Sequence, residues 1–196
     1  TSVSDWSKYP ESGIEIEKDA IITWPGGEDL LFFTGWDISN PSVTDGTYDG
    51  SIVLDSDITR LFDSTDYVEY NWKIIFAWND SSVWDELFIT DWTVAWTKLL
   101  KDIKVWTNSS YSENLLVANG KVYFHAKYSD YGSEIWETDG TTAWTKVIDI
   151  VPWSWSSMWS STKLGYCNSK LYARWDTAIY AINVSDNSHT SIKAPS

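Results

Sequence analysis

The feature that most limits what this chain can fold into is that it repeats itself. Asn71–Leu100 lies on Asn119–Ile148 without a gap, at a constant offset of 48 residues. Identical pairs include Asn71/Asn119, Lys73/Lys121, Phe76/Phe124, Glu86/Glu134, Thr90/Thr138, Asp91/Asp139, Thr93/Thr141, Thr97/Thr145 and Lys98/Lys146. Apolar pairs such as Ile74/Val122, Leu87/Ile135 and Leu99/Val147 fill the intervals. Self-similarity of this period marks a supersecondary unit that buries its faces only by stacking on its neighbours.

The unit reads as β-structure. In the clearest copy, Leu115–Ala118, Lys121–Lys127, Glu134–Thr138 and Thr145–Ile150 are short β-type segments. Asn119-Gly120 is a two-residue hairpin turn, and Asp139-Gly140 is a second turn signal. No segment sustains a helical period, and four strands in about 48 residues is the size of a propeller blade. A degenerate copy lies upstream, with Asp29–Thr34 as a strand, Thr44-Asp45-Gly46-Thr47 repeating Thr138–Thr141, and Ile52–Ile58 closing the unit. A last copy carries Lys170–Arg174 and Ala178–Val184 as strands and lacks the Asp-Gly-Thr turn, as an atypical terminal repeat would. The expected fold is all-β, a propeller-like array of about four four-stranded blades in one repeat domain. The approximate repeats are 14–58, 59–103, 104–150 and 151–196. An open fragment of a larger propeller or solenoid-like array is the alternative.

Glu134-Ile135-Trp136-Glu137-Thr138-Asp139-Gly140-Thr141 resembles the ELWxxDGT repeat family, whose units often continue as xxGT. Thr142–Thr145 fits that continuation with Trp144 in place of Gly, and Glu86–Thr93 fits with Phe88 for Trp and Trp92 for Gly. The resemblance is clear over about 71–150. It implies tandem, propeller-like repeats of large bacterial surface or secreted proteins, and it implies no catalytic residues.

The tryptophans stand apart. There are 15, against ten glycines. Trp72 aligns with Gly120, Trp84 with Gly132, Trp92 with Gly46 and Gly140, and Trp96 and Trp144 with Gly50. Glycine suits such turns because it accepts φ > 0, and a residue with a Cβ pays roughly 1–2 kcal/mol there. Three explanations are open: a source that reads UGA as glycine, an aromatic-rich binding surface, or core aromatics in unusual turns. Trp136, at the family's own Trp position, is a true tryptophan under all three.

Candidate chemistry is sparse. The chain has no HExxH, paired CxxC, GxSxG or P-loop. His125 and His189 fall in different repeats, His125 aligns with Ala77, and the lone Cys167 has no nearby His. The carboxylate pair Asp85-Glu86 has the makings of a glycosidase acid and base, but Glu86 recurs as Glu134, and recurrence points to structure. The expectation is therefore no enzyme. Calcium is the one cofactor considered, with Asp80, Asp85, Glu86, Asp130 and Glu134 flanking a hairpin loop rich in oxygen ligands.

With 28 acidic and 14 basic residues, the net charge of −14 repels nucleic acid and anionic membranes. No run approaches the roughly 20 apolar residues of a spanning helix. The chain opens at Thr1 with no charged-then-apolar leader and reads as a mature or excised piece. The expected partners are a protein or glycan at a surface, and the expected location is extracellular or on the cell surface. The function expected is a noncatalytic repeat module for adhesion or protein interaction. A carbohydrate-binding, lectin-like propeller is the alternative.

Overall fold

The computed structural model describes residues 16–23, 29–35, 38–47, 49–55, 66–80, 84–105, 109–128, 133–148, 163–175 and 178–193. They form four antiparallel sheets of four strands, each a simple meander whose spatial order is its chain order. Blade 1 is β1 (Ile16–Thr23), β2 (Asp29–Gly35), β3 (Ile38–Thr44) and β4 (Ile52–Val53). Blade 2 is β5 (Tyr67–Tyr70), β6 (Lys73–Asp80), β7 (Trp84–Thr90) and β8 (Lys98–Lys101). Blade 3 is β9 (Glu113–Ala118), β10 (Lys121–Lys127), β11 (Ser133–Thr138) and β12 (Lys146–Ile148). Blade 4 is β13 (Gly165–Cys167), β14 (Lys170–Trp175), β15 (Ala178–Asn183) and β16 (His189–Lys193). Beside the strands, single 3-10 turns occur at Val94–Trp96 and Thr142–Trp144.

The central strands read as unbroken apolar runs because both faces of the middle sheets are covered. One buried cluster joins blades 1 and 2 through Phe32, Val43 and Leu54 against Ile74, Phe76 and Phe88. A second sets Ile75, Leu87 and Ile89 of blade 2 against Val122, Phe124 and Trp136 of blade 3. A third sets Tyr123, Ile135 and Ile148 of blade 3 against Leu171, Ala173 and Ile182 of blade 4. Register keeps these roles constant. Phe76 lies opposite Phe88 and Phe124 opposite Trp136, and both pairs stack, with centroids 5.9 and 6.4 Å apart. Trp136 of the ELW motif is thus the tryptophan version of a core stack on the preceding blade.

The array is open among the described residues. Ile135 and Ile148 are buried by blade 4, but their register counterparts Ile179 and Ile192 on the outer face of blade 4 are 39% and 42% exposed. No described core cluster joins blade 4 to blade 1. This matches the open alternative rather than a closed four-bladed ring.

The first turn of blades 2, 3 and 4 has both central residues left-handed: Asn71 and Trp72 at φ 50° and 62°, Asn119 and Gly120 at 49° and 72°, and Asn168 and Ser169 at 50° and 59°. These are the dihedral signs of a type I′ hairpin, whose twist matches that of the strands. Trp84 (φ 62°) and Trp92 (φ 76°) are left-handed as well, and Gly46 and Gly140 match Trp92 at 88° and 85°. Trp96 and Trp144 depart from the expectation of glycine-like turns. They end the two 3-10 turns, where no positive φ is required. Their counterpart Gly50 is constrained differently, since a Cβ there would lie 2.0 Å from the Asp45 carboxylate.

A ring at the Trp92 turn also gains more than its position suggests. Trp92 is only 3% exposed, packs edge-on against Phe32 of blade 1, and donates its indole N–H to the Trp72 carbonyl at 3.1 Å. In the next blade the equivalent carbonyl, that of Gly120, accepts from the Tyr70 hydroxyl of blade 2. A Cβ added at Gly140 would meet Tyr70 and Ile89 at 3.6 Å, so the space beside it is taken. Burial and the indole hydrogen bond offset the backbone cost at Trp92. Trp72 is 59% exposed and has no such offset. Trp72→Gly is therefore expected to stabilise the protein by about 1 kcal/mol in chemical denaturation. Trp92→Gly relieves the same strain but loses a buried indole, and is expected to destabilise by about 2 kcal/mol. Equal gains from both substitutions would contradict the packing assigned to Trp92.

Candidate functional site

The repeat places its polar motifs at two ends of the blades. At one end lie the described turns that join a blade's first strand to its second and its third to its fourth, including the Asp-Gly-Thr motif. At the other, where the second strand pairs with the third, lie Asp85, Glu86 and Glu134 of the residues singled out as calcium ligands.

At the acidic end the fold engages the Glu86 carboxylate and the Asp85 backbone. Asp85 and Glu86 are neighbours on β7, so their side chains leave opposite faces of the sheet and do not converge. The Asp85 carbonyl accepts from the Ser110 amide (2.8 Å) and hydroxyl (2.9 Å), tying the segment that enters blade 3 to blade 2. The Glu86 carboxylate, opposite Trp78, accepts from the amides of Ile103 (2.9 Å) and Lys104 (3.2 Å) and pins the chain leaving β8. Glu134, opposite Ala126, is buried at the same register in blade 3. Asp80 ends β6 and its side chain is not among those described, and Asp130 lies outside the described residues. Among the described residues no group of three or more His, Cys, Asp or Glu side chains is arranged to hold a metal ion.

Two buried groups titrate in opposite directions. Burial pushes Glu86 up from 4.5 to about 7, against the lowering effect of the Ile103 and Lys104 amides. Burial holds His125, which faces blade 4, down at about 4. Its Nε2 has no hydrogen-bond partner among the described residues, which suits the tolerated strand histidine expected from its alignment with Ala77.

The turn end is the more structured. In three blades the sequence Thr-Asp-x-Thr-x-x-x-Thr/Ser makes one hydrogen-bond pattern. The Asp Oδ1 accepts from the amide and hydroxyl two residues on: Asp45 from Thr47, Asp91 from Thr93, and Asp139 from Thr141, at 2.6–3.2 Å. The preceding threonine accepts from the third residue's amide and bonds the closing hydroxyl: Thr90 to Thr97 and Thr138 to Thr145 at 2.7 Å, and Thr44 to Ser51 at 2.9 Å. Blade 4 keeps this turn chemistry although the motif is absent from its sequence. Asn183 Oδ1 accepts from the Ser185 amide and hydroxyl at 3.1 and 2.9 Å, at the register of Asp139 and Thr141. Asp186 repeats the bond with Ser188.

Between blades 2 and 3 this end opens into a cleft of about 290 Å³. It is lined by Lys73, Ile89, Thr90, Asp91, Trp96, Lys98 and Leu100 of blade 2 and by Gly140, Thr141 and Thr142 of blade 3. The Thr142 hydroxyl donates to the Leu100 carbonyl (2.8 Å), closing its floor across the blades. Lys98 Nζ sits 4.5 Å from the centre of the Trp96 ring, a cation–π arrangement. Sequence reasoning did not single out this cleft. The signal was the lysine pair shared by both copies.

These features define the chain as a β-propeller-like array. No family model matches it, and no curated protein matches it in sequence. Among solved structures it is similar to puromycin hydrolase, at 12% identity and a TM-score of 0.50, covering 89% of this chain and 28% of that one. A nidogen/laminin complex aligns at 12% identity and a TM-score of 0.49, covering 84% of this chain and 59% of that one. The chain thus spans less than two thirds of either neighbour. At this identity the likeness to the hydrolase speaks for the fold alone.

The two buried titrations make a testable pair. Because the Glu86 pKa is raised on folding, its share of stability is present below 4.5 and lost as pH rises through about 7. Because the His125 pKa is lowered, its share is present above 6.5 and lost as pH falls through about 4. The opposing slopes partly cancel in the native protein. Urea midpoints between pH 4 and 7 are expected to rise with pH in Glu86→Gln and to fall with pH in His125→Ala. Parallel profiles in both variants would show that neither group is buried as described.

Proposed function

We propose that this chain is a noncatalytic module of a bacterial surface or secreted repeat protein, acting in adhesion or protein interaction. The observation that carries the reading is where its reactive side chains go. Glu86 is spent on backbone amides, Asp85 stands on the opposite face of its strand, and His125 is enclosed between blades. The turn end, by contrast, is a rigid hydrogen-bonded frame that presents variable residues, a division of labour suited to recognition. The ELWxxDGT-like motif supports the same reading, as does a strongly acidic surface unsuited to nucleic acid. An extracellular location belongs to the proposal. The test is direct binding of the purified chain to arrayed glycans and purified extracellular proteins, with mass spectrometry of the bound ligand. Saturable binding to an unaltered ligand is expected. Turnover of any ligand, or no binding across both arrays, would overturn the reading.

A lectin-like variant is favoured by one observation. Trp72, Trp96 and Trp144 are exposed at the turn end, and Lys98 and Lys146 sit over the rings of Trp96 and Trp144. Exposed rings of this kind are the usual platforms for sugar stacking. That platform depends on the residues being tryptophan in the natural source. The left-handed backbone at Trp72, Trp84 and Trp92 supports the reading that UGA codons for glycine stand behind those three, while for Trp96 and Trp144 the same reading rests on their alignment with Gly50. UGG at all five positions in the gene would sink the recoding idea and leave the aromatic platform in place.

A further inference from the structure

We infer that the cleft between blades 2 and 3 is a binding site for the carboxylate of an acidic sugar, held between Lys73 and Lys98. The inference rests on the binding-module reading and adds its ligand class.

Blade 3 shows what this arrangement of lysines holds. There Lys121 and Lys146 converge on one carboxylate, that of Glu137, at 2.8 and 3.2 Å, with Glu137 only 2% exposed. Lys73 and Lys98 stand at the same register in blade 2. Lys73 opens β6 as Lys121 opens β10, and Lys98 pairs with Ile89 as Lys146 pairs with Glu137. The lysines have been kept and the carboxylate between them has become isoleucine. Among the described residues neither Lys73 nor Lys98 has an ion-pair partner, although the chain carries twice as many acidic as basic residues. Where blade 3 is self-neutralised, blade 2 offers two ammonium groups on the wall of a cleft.

The rest of the lining selects the ligand. Ile89, Leu100 and the Trp96 ring give apolar surface for a pyranose face, while Thr141, Thr142 and Asp91 add oxygen acceptors to the lining. Asp91 already holds Thr93 through one carboxylate oxygen. It accepts hydroxyl donors and repels a second carboxylate, which favours a uronic acid over an acidic peptide. The cleft volume of about 290 Å³ lies at the small end for ligand sites and suits a single ring.

The experiment is amide chemical-shift mapping of the whole chain with methyl β-D-glucuronide. Methyl β-D-glucoside, which lacks the carboxylate, and a short glutamate peptide serve as comparisons. Shifts are expected at Lys73, Lys98, Thr141 and Thr142 with the glucuronide alone, weakening as salt is raised. The double variant Lys73→Gln/Lys98→Gln is expected to bind about tenfold more weakly or not at all. Ile89→Glu, which restores the blade 3 arrangement within the chain, is expected to abolish the shifts while keeping the fold. Trp96→Gly is expected to weaken binding but preserve the preference for glucuronide over glucoside, which separates the lysine pair from the aromatic ring. Equal shifts with glucoside, stronger shifts with the glutamate peptide, shifts mapping outside the cleft, or no shifts with any probe would each overturn the inference. Binding elsewhere on the glycan and protein arrays would leave the module reading standing while this site fails.

Discussion

Every described blade in the first three repeats is closed by the same small knot of hydroxyls and one carboxylate. A threonine at the end of the third strand bonds a threonine or serine seven residues on, at 2.7–2.9 Å, while the aspartate between them fixes the turn. Without it, the fourth strand would have no register. It is only two to four residues long, too short for its own ladder to specify its position. With the knot in place, Leu99 and Val147 come to lie opposite Phe88 and Trp136, and the stacks on the neighbouring blade follow. The Thr-Asp-x-Thr motif therefore persists because it sets the strand that sets the interface. In blade 4 asparagine and serine preserve the bond when the letters change.

The interface so positioned makes the blades interdependent. Each cluster takes its residues from two blades, so a single sheet would expose one apolar face to water. Polar groups are then drawn into the same task. Glu86 holds the exit from blade 2, Ser110 bridges to the Asp85 carbonyl, and Thr142 reaches back to Leu100. This gives Glu86, which looked available for calcium or catalysis and recurs as Glu134, a structural task. Its partners are the backbone amides of Ile103 and Lys104, which lie where the chain leaves β8.

Much of this was legible because repetition converts sequence into geometry. Lys121–Lys127 was read as a strand with its bounds intact, and Asn119-Gly120 as a hairpin turn. The reading was weaker where chemistry is conserved without identity. The blade 4 turn was missed because Asn183 and Ser185 do by hydrogen bonding what Asp139 and Thr141 do elsewhere. The 3-10 turns ending at Trp96 and Trp144 were missed because alignment with Gly50 implied a backbone need that those blades meet differently. The cleft was invisible for another reason. It exists only between two blades, and its lysines acquire meaning only when Glu137 and Ile89 are compared at one register.

That comparison bears on how such an array could carry a function without losing its frame. Within a repeat, most positions are constrained twice, once by their own sheet and once by the neighbour's face. Ile89 is constrained by burial against blade 3, so a buried carboxylate there needs both lysines to be tolerated, as Glu137 has. Exchanging that carboxylate for isoleucine removes the need for the ion pairs but not the lysines, whose long stems still cover apolar surface. The position can therefore change from self-neutralised to ligand-ready by one substitution, at little cost to packing. A repeat fold in which a structural carboxylate satisfies paired lysines in one blade contains, in the blade before it, the means to bind a carboxylate from outside.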